Sequence, residues 1–198
     1  TTIPVSSIEF TECDEYIDNI DIENDGFDYF DLTSATNQIL SQFPSNQNLQ
    51  IAFYENESEA LSGNNPINNL QNYRNSIVNS QFLWVRVDSA INNECFGLGP
   101  FVKLTVNPIP DFDLGDAIQT ICVNPVTGLS PFTLNATPIT SGNYSYTWTP
   151  TNPNMDSNGN QAAIYNVVQE GNYSVVVKNN TTNCQNLDSI EIKYSSAP

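Results

Sequence analysis

Short runs of alternating apolar and polar residues recur along the whole chain. In the first half they are VSSIEF (5–10), FDYFDLT (27–33), LQIAFYE (49–55), FLWVRVD (82–88) and FVKLTVN (101–107). In the second half they are AIQTICV (117–123), FTLNAT (132–137), YSYTWTP (144–150), AAIYNVV (162–168), NYSVVVKN (172–179) and SIEIKY (189–194). Period-two alternation sends successive side chains to opposite faces of a strand, so each run predicts a β-strand. Leu83, Val85 and Val87 mark one face of such a strand, and Trp84, Arg86 and Asp88 the other. Two short helices are predicted between strands. One spans 34–41 with Thr33 or Ser34 as its cap, and the other is a single turn over Ser58–Leu61. The Asn-rich stretch 62–81 predicts loop with an edge segment.

A strand ends at Val106-Asn107, and Pro108 and Pro110 follow it. Prolines at that spacing enforce an extended, stiff connection. We therefore read two domains, 1–108 and 109–198. In the second, turn clusters (SGN, NPN, SNGN, EGN, KNNTTN) separate the strands at sandwich-like spacing. Trp148 falls mid-module on a strand, where an immunoglobulin-like sandwich carries its core Trp. Gly171-Asn172-Tyr173 matches the turn-plus-Tyr that starts a late strand of such folds. The expected fold class is all-β: two tandem immunoglobulin-like β-sandwich modules, the first with short helical insertions.

Charge narrows the function. The net charge is −17, with only five Lys and Arg. Nucleic acid and anionic lipid headgroups both need basic clusters, so neither is an expected partner. The chain has no His, which removes the commonest general base and the commonest zinc ligand. No GxSxG, GxGxxG or P-loop occurs, and an enzyme is not expected. No apolar run reaches the length of a membrane span.

The four cysteines are Cys13, Cys95, Cys122 and Cys184, and no CxxC occurs. Four cysteines allow three pairings. Cys13–Cys95 with Cys122–Cys184 puts one bridge in each module and is the expected arrangement; free thiols are the alternative.

The acidic residues are concentrated. Ten carboxylates and no base lie between Glu9 and Asp31. Asp21-Ile22-Glu23-Asn24-Asp25-Gly26 has oxygen ligands at alternate positions followed by Gly, the first half of a calcium loop. The twelfth position is Leu32 instead of Glu, so Asp28 or Asp31 would have to complete the set. The expected Ca2+ ligands are Asp21, Glu23, Asp25 and Asp28, with Asp18, Glu55 and Glu57 as further donors. The competing reading is a solvated acidic turn, with Asn24-Asp25-Gly26 simply reversing the chain. Asp111, Asp113 and Asp116 are a second, weaker set.

One resemblance spans nearly the whole chain. It is carried by Cys13, Asn24-Asp25-Gly26, Phe30-Asp31-Leu32-Thr33, Ile51-Ala52-Phe53-Tyr54, Leu83-Trp84-Val85-Arg86-Val87, Cys95 and Leu104-Thr105-Val106. In the second half it is carried by Cys122, Tyr146-Thr147-Trp148, Gly171-Asn172-Tyr173-Ser174-Val175 and Cys184. The first set resembles the repeat found in tandem arrays in large surface proteins of Bacteroidetes that end in a type B sorting domain. The second resembles the immunoglobulin- or PKD-like modules adjoining those repeats. The resemblance implies type IX secretion, an extracellular, cell-surface location and no catalytic residue. Asp88-Ser89-Ala90 and Asp188-Ser189-Ile190 match the O-glycosylation sequon of that phylum, which makes Ser89 and Ser189 candidate acceptors.

The expected function is a non-catalytic structural or adhesive module of a cell-surface protein or filament. Its partners would be neighbouring modules or like subunits, and surface glycans. The alternative is a carbohydrate-binding module, for which Trp84, Tyr54, Tyr73 and Tyr29 would have to face solvent together.

Overall fold

A computed structural model describes residues 5–15, 24–45, 47–91, 94–124, 128–129 and 132–196. The chain divides into two compact units, Thr1–Pro108 and Ile109–Pro198. Both are immunoglobulin-like β-sandwiches.

Unit 1 contains β1 (Ile8–Asp14), β2 (Tyr29–Phe30), α1 (Ala35–Leu40), β3 (Leu49–Tyr54), α2 (Glu57–Ser62), β4 (Tyr73–Arg74), β5 (Ser80–Ser89) and β6 (Cys95–Pro108). Its main sheet has the order β1-β6-β5-β3, and β2 pairs with β4 in a second, two-stranded sheet. The alternation in β5 does what its sequence predicts: Leu83, Val85 and Val87 are all fully buried. They share a core with Val102 and Leu104 of β6 and with Phe30, Leu32, Ala35 and Ile39. Helix α1 thus covers sheet surface that a strand would otherwise cover.

Three of the differences from expectation have a local reason. FDYFDLT forms ladder only at Tyr29–Phe30. The carboxylates of Asp28 and Asp31 accept from the nearby amides of Tyr29 (2.6 Å) and Thr33 (2.9 Å), which draws the flanks out of strand geometry. Helix α2 starts earlier than its sequence suggests. Its cap is Asn56, whose side chain accepts from the Glu59 amide at 3.0 Å. Strand β6 begins at Cys95, well before the apolar run, and includes Gly97 and Gly99. A Cβ at Gly97 would lie 3.0 Å from the Phe43 ring, so a small residue lets the strand pass that side chain.

Unit 2 contains β7 (Ile118–Asn124), β8 (Gly128–Leu129), β9 (Phe132–Asn135), β10 (Tyr144–Thr149), β11 (Ile164–Val167), β12 (Gly171–Asn179) and β13 (Gln185–Ser196). The large sheet has the order β10-β12-β13-β7-β8, and β11 pairs with β9. Trp148 is 2% exposed and donates its indole N–H to the Ala162 carbonyl at 2.9 Å. Its ring lies 5.2 Å from that of Tyr165, which lies 5.1 Å from that of Tyr173. The Tyr173 hydroxyl donates to the Gln169 carbonyl at 2.7 Å, closing a tyrosine corner.

Both units share one feature of register. In each, the first strand runs parallel to the last: β1 beside β6 and β7 beside β13.

Tyr173→Phe removes the corner's donor and leaves the Gln169 carbonyl without it. We expect a cost of about 1–3 kcal/mol. Urea unfolding of the full chain, read at the transition of unit 2, should show a lower midpoint and an unchanged slope.

Candidate functional site

The cysteines are the chemically distinctive residues, and strand register decides where each one lies. Cys13 sits in β1 opposite Asn107, the penultimate residue of β6. Cys95 is the first residue of that same strand. At about 3.3 Å per residue, the two ends are roughly 40 Å apart. A disulfide needs Cα atoms within about 7 Å. Cys122 sits in β7 opposite Ser195, the penultimate residue of β13, and Cys184 immediately precedes that strand. The separation there is again roughly 36 Å.

The expected pairs Cys13–Cys95 and Cys122–Cys184 are therefore not formed. Cys95 and Cys122 are free, exposed thiols, whereas Cys13 and Cys184 are disulfide-bonded. The usual immunoglobulin bridge uses a cysteine two residues after the corner tyrosine. Here that position is Val175, fully buried in the core.

Each half-cystine has firm support in its own unit. Beside Cys13, the buried Asp14 carboxylate accepts from the amides of Gly26 (2.7 Å) and Asp25 (3.2 Å). This clasps the acidic turn onto β1. Burial raises the Asp14 pKa, and the backbone bonds from Gly26 and Asp25 counter part of that rise. Asn75 holds the turn from the other side. Its side chain accepts from Asp28 N (2.7 Å) and donates to the carbonyls of Gly26 (2.9 Å) and Ile77 (2.8 Å). Behind it, buried Gln81 donates to the Tyr73 hydroxyl at 3.0 Å, which donates to Glu55 at 3.1 Å. In unit 2, Cys184 is 1% exposed, and its carbonyl accepts from Asn179 N at 2.8 Å. Close by, the Asn186 side chain donates to the Pro110 carbonyl at 3.1 Å. Cys184 therefore lies at the end of unit 2 where the chain enters it.

The same contacts bear on the calcium reading. Asp21 and Glu23 lie outside the described residues. Asp25 accepts from the Phe27 amide at 2.9 Å and lies 3.6 Å from Arg74. Asp28 is buried, with its carboxylate on the Tyr29 amide. Leu32, the twelfth loop position, is a core residue. Gly26 has φ +83°, and a Cβ there would lie 2.6 Å from the Asn79 side chain, so turn packing alone accounts for this glycine. Glu12, Glu15, Asp28 and Asp31 line one groove with Cys13. Burial, then the charges of Asp28 and Glu15, raise the Glu12 pKa there. Among the described residues no group of three or more His, Cys, Asp or Glu could hold a metal ion. In unit 2, Asp113 accepts from the Gly115 amide at 2.7 Å.

The aromatic candidates do not form an exposed platform. Tyr54 is 4% and Tyr73 8% exposed. Of the two glycosylation candidates, Ser89 is buried and its hydroxyl accepts from Ile91 N. Ser189 is exposed on β13. No helix among the described residues is long and apolar enough to cross a membrane.

A family model described as the Flavobacterium inter-domain disulphide bond domain matches residues 9–110, about half of the chain. No curated protein matches. Among solved structures, the chain is similar to Sidekick-1 immunoglobulin domains 1–4, with 10% identity and TM-score 0.29 over 97% of this chain and 51% of that one. It thus spans about half the length of that structure. It is also similar to the fibronectin(III)-like modules of Clostridium thermocellum CbhA, with 12% identity and TM-score 0.32 over 98% of this chain and 92% of that one.

Burial pushes the Tyr73 phenol up to about 12 from 10.0, with the Glu55 charge adding to the rise. A folded pKa above the unfolded one means stability is full below pH 10 and falls as pH rises towards 12. We expect the wild type to lose about 1.4 kcal/mol per pH unit in that window from this group. The Tyr73→Phe variant should lack that component, and alkaline denaturation of the two proteins side by side measures the difference.

Proposed function

The chain belongs to the Flavobacterium inter-domain disulphide bond domain family, and from that premise we propose that it is a stiff, non-catalytic structural segment of an extracellular protein, in which Cys13 and Cys184 bond to each other across the Pro108–Ile109 boundary. The observation that carries the reading is the state of the four cysteines. Two are free thiols, and the two bonded ones belong to different modules. Register supports it. Cys13 lies beside Asn107, at the end of module 1 where the chain leaves. Cys184 lies near Asn186, which holds Pro110, at the end of module 2 where the chain enters. Asn107 and Pro110 are three residues apart, or about 10 Å of extended chain.

Mechanically, such a bond adds a second covalent tie beside the peptide connection. One tie leaves a hinge, whereas two hold an angle. The setting is oxidising, because structural disulfides persist outside the reducing cytosol. In the finer reading the segment belongs to a cell-surface adhesin or filament exported by type IX secretion, and Ser189 accepts an O-linked glycan. The intact mass of protein recovered from its natural source tests the glycan.

Non-reducing peptide mapping tests the bond. We expect one linked species containing Cys13 and Cys184; a Cys13–Cys95 species would sink the proposal. Reduction should also loosen the joint. Small-angle scattering should broaden on reduction.

A further inference from the structure

Strand β10 carries Tyr144, Tyr146 and Trp148 on one face, because side chains two apart in a strand point the same way. Trp148 is sealed in the core of module 2. Tyr144 and Tyr146 pack against that core but are only partly buried. With Asp156 and Asn158 they line a cleft of about 480 Å3, a size that suits a small ligand. A Cβ at Gly142 would come within 2.8 Å of the Tyr144 ring, so glycine lets that ring lie close over the backbone. The Tyr144 hydroxyl is spent on the Thr140 carbonyl at 3.0 Å. The Tyr146 hydroxyl has no hydrogen-bond partner among the described residues.

The loop that carries Asp156 and Asn158 is held firmly. Asn152, fully buried, donates to the carbonyls of Ala162 (3.2 Å) and Ile164 (2.8 Å). The Gln161 side chain accepts from the amides of Asn152 (2.8 Å) and Trp148 (3.3 Å), which ties the loop to β10. The Asp156 carboxylate is fixed in turn. Its Oδ1 accepts from the amides of Asn158 (2.8 Å) and Asn160 (2.9 Å), and its Oδ2 from the Asn160 side chain (3.2 Å). A carboxylate has about four acceptor positions, so Oδ2 keeps one for an outside donor. Burial opposes the Asp156 charge, but the hydrogen bonds from Asn160, Asn158 and Gly159 prevail and hold its pKa below the usual value. Burial, then the charge of Asp156, raises the Tyr146 pKa, so its phenol remains a donor at neutral pH.

A fixed acceptor and an unused donor thus face one cleft beside two aromatic rings. A ligand hydroxyl satisfies both, donating to Asp156 and accepting from Tyr146. Rings of tyrosine offer an apolar face with a polar tip, which matches the C–H face and hydroxyl rim of a sugar. The net charge of −17 and the ionised Asp156 repel an anionic ligand. We propose that this cleft binds a neutral saccharide, with Tyr144 and Tyr146 against the sugar ring and with the Tyr146 hydroxyl, Asp156 Oδ2 and the Asn158 amide on its hydroxyls. The role goes beyond that of a structural segment and does not depend on which cysteines are joined.

Native gels cast with dextran, laminarin or galactomannan, all neutral, or with the polyanion alginate, test it on the full chain. We expect at least one neutral polysaccharide to retard the wild type and alginate not to. Tyr146→Ala should weaken binding about tenfold or more. Tyr146→Phe, which removes only the hydroxyl, and Asn158→Ala, in an exposed turn, should each weaken it about two- to tenfold. These two variants decide the matter if Tyr146→Ala does not fold. Phe82→Ala, at an exposed aromatic of module 1, should bind as the wild type does. The proposal is overturned if no neutral gel retards the wild type, if only alginate does, or if retardation survives Tyr146→Phe and Asn158→Ala unchanged.

Discussion

In each module the last strand runs the length of the main sheet, and the first strand lies beside it in parallel register. That ladder is the constraint on which the cysteine chemistry depends. It sets Cys13 against Asn107 and Cys122 against Ser195. The long last strand then carries the other cysteine of the module to the opposite end. Two sulfurs of one module cannot meet across roughly 40 Å of sheet. A bond made at one end of a module needs a partner from outside it.

Neither core cluster contains a cysteine. An immunoglobulin-like sandwich often ties its sheets with a buried bridge, but here apolar packing does the same work. Val175 stands where the second cysteine would be, among Trp148, Tyr165 and Tyr173. In module 1 the second sheet is reduced to two residue pairs, and α1 with Phe30, Leu32 and Phe43 fills the space. Both core clusters close without sulfur.

The described carboxylates around the Asn24–Asp28 turn have a structural role. Asp14 and Asn75 together satisfy the backbone of the turn at Asn24–Asp28, next to the strand that carries Cys13. Carboxylates spend their lone pairs on backbone amides, which are fixed donors. A D-x-E-x-D-G pattern encodes oxygen atoms at alternate positions, and a turn and a cation loop both use that pattern. The amides of the chain itself occupy Asp14, Asp25 and Asp28.

The sequence by itself determined the fold class and most of the strands, because alternation such as Leu83-Val85-Val87 leaves one consistent way to bury apolar side chains. It also marked Trp148 and Tyr173 as core, through their spacing in a sandwich. Only the tertiary structure decided which cysteines are free and which are bonded. Pairing depends on which end of a sheet each sulfur occupies, and a parallel ladder between residues nearly a hundred positions apart leaves no periodic trace in the chain. The shortening of FDYFDLT and the early start of β6 were hidden for a similar reason. Asp side chains captured local amides in one case, and Gly97 slipping past Phe43 extended the strand in the other. What apolar periodicity can dictate was legible, and what depends on contacts between distant segments had to be seen in the folded chain.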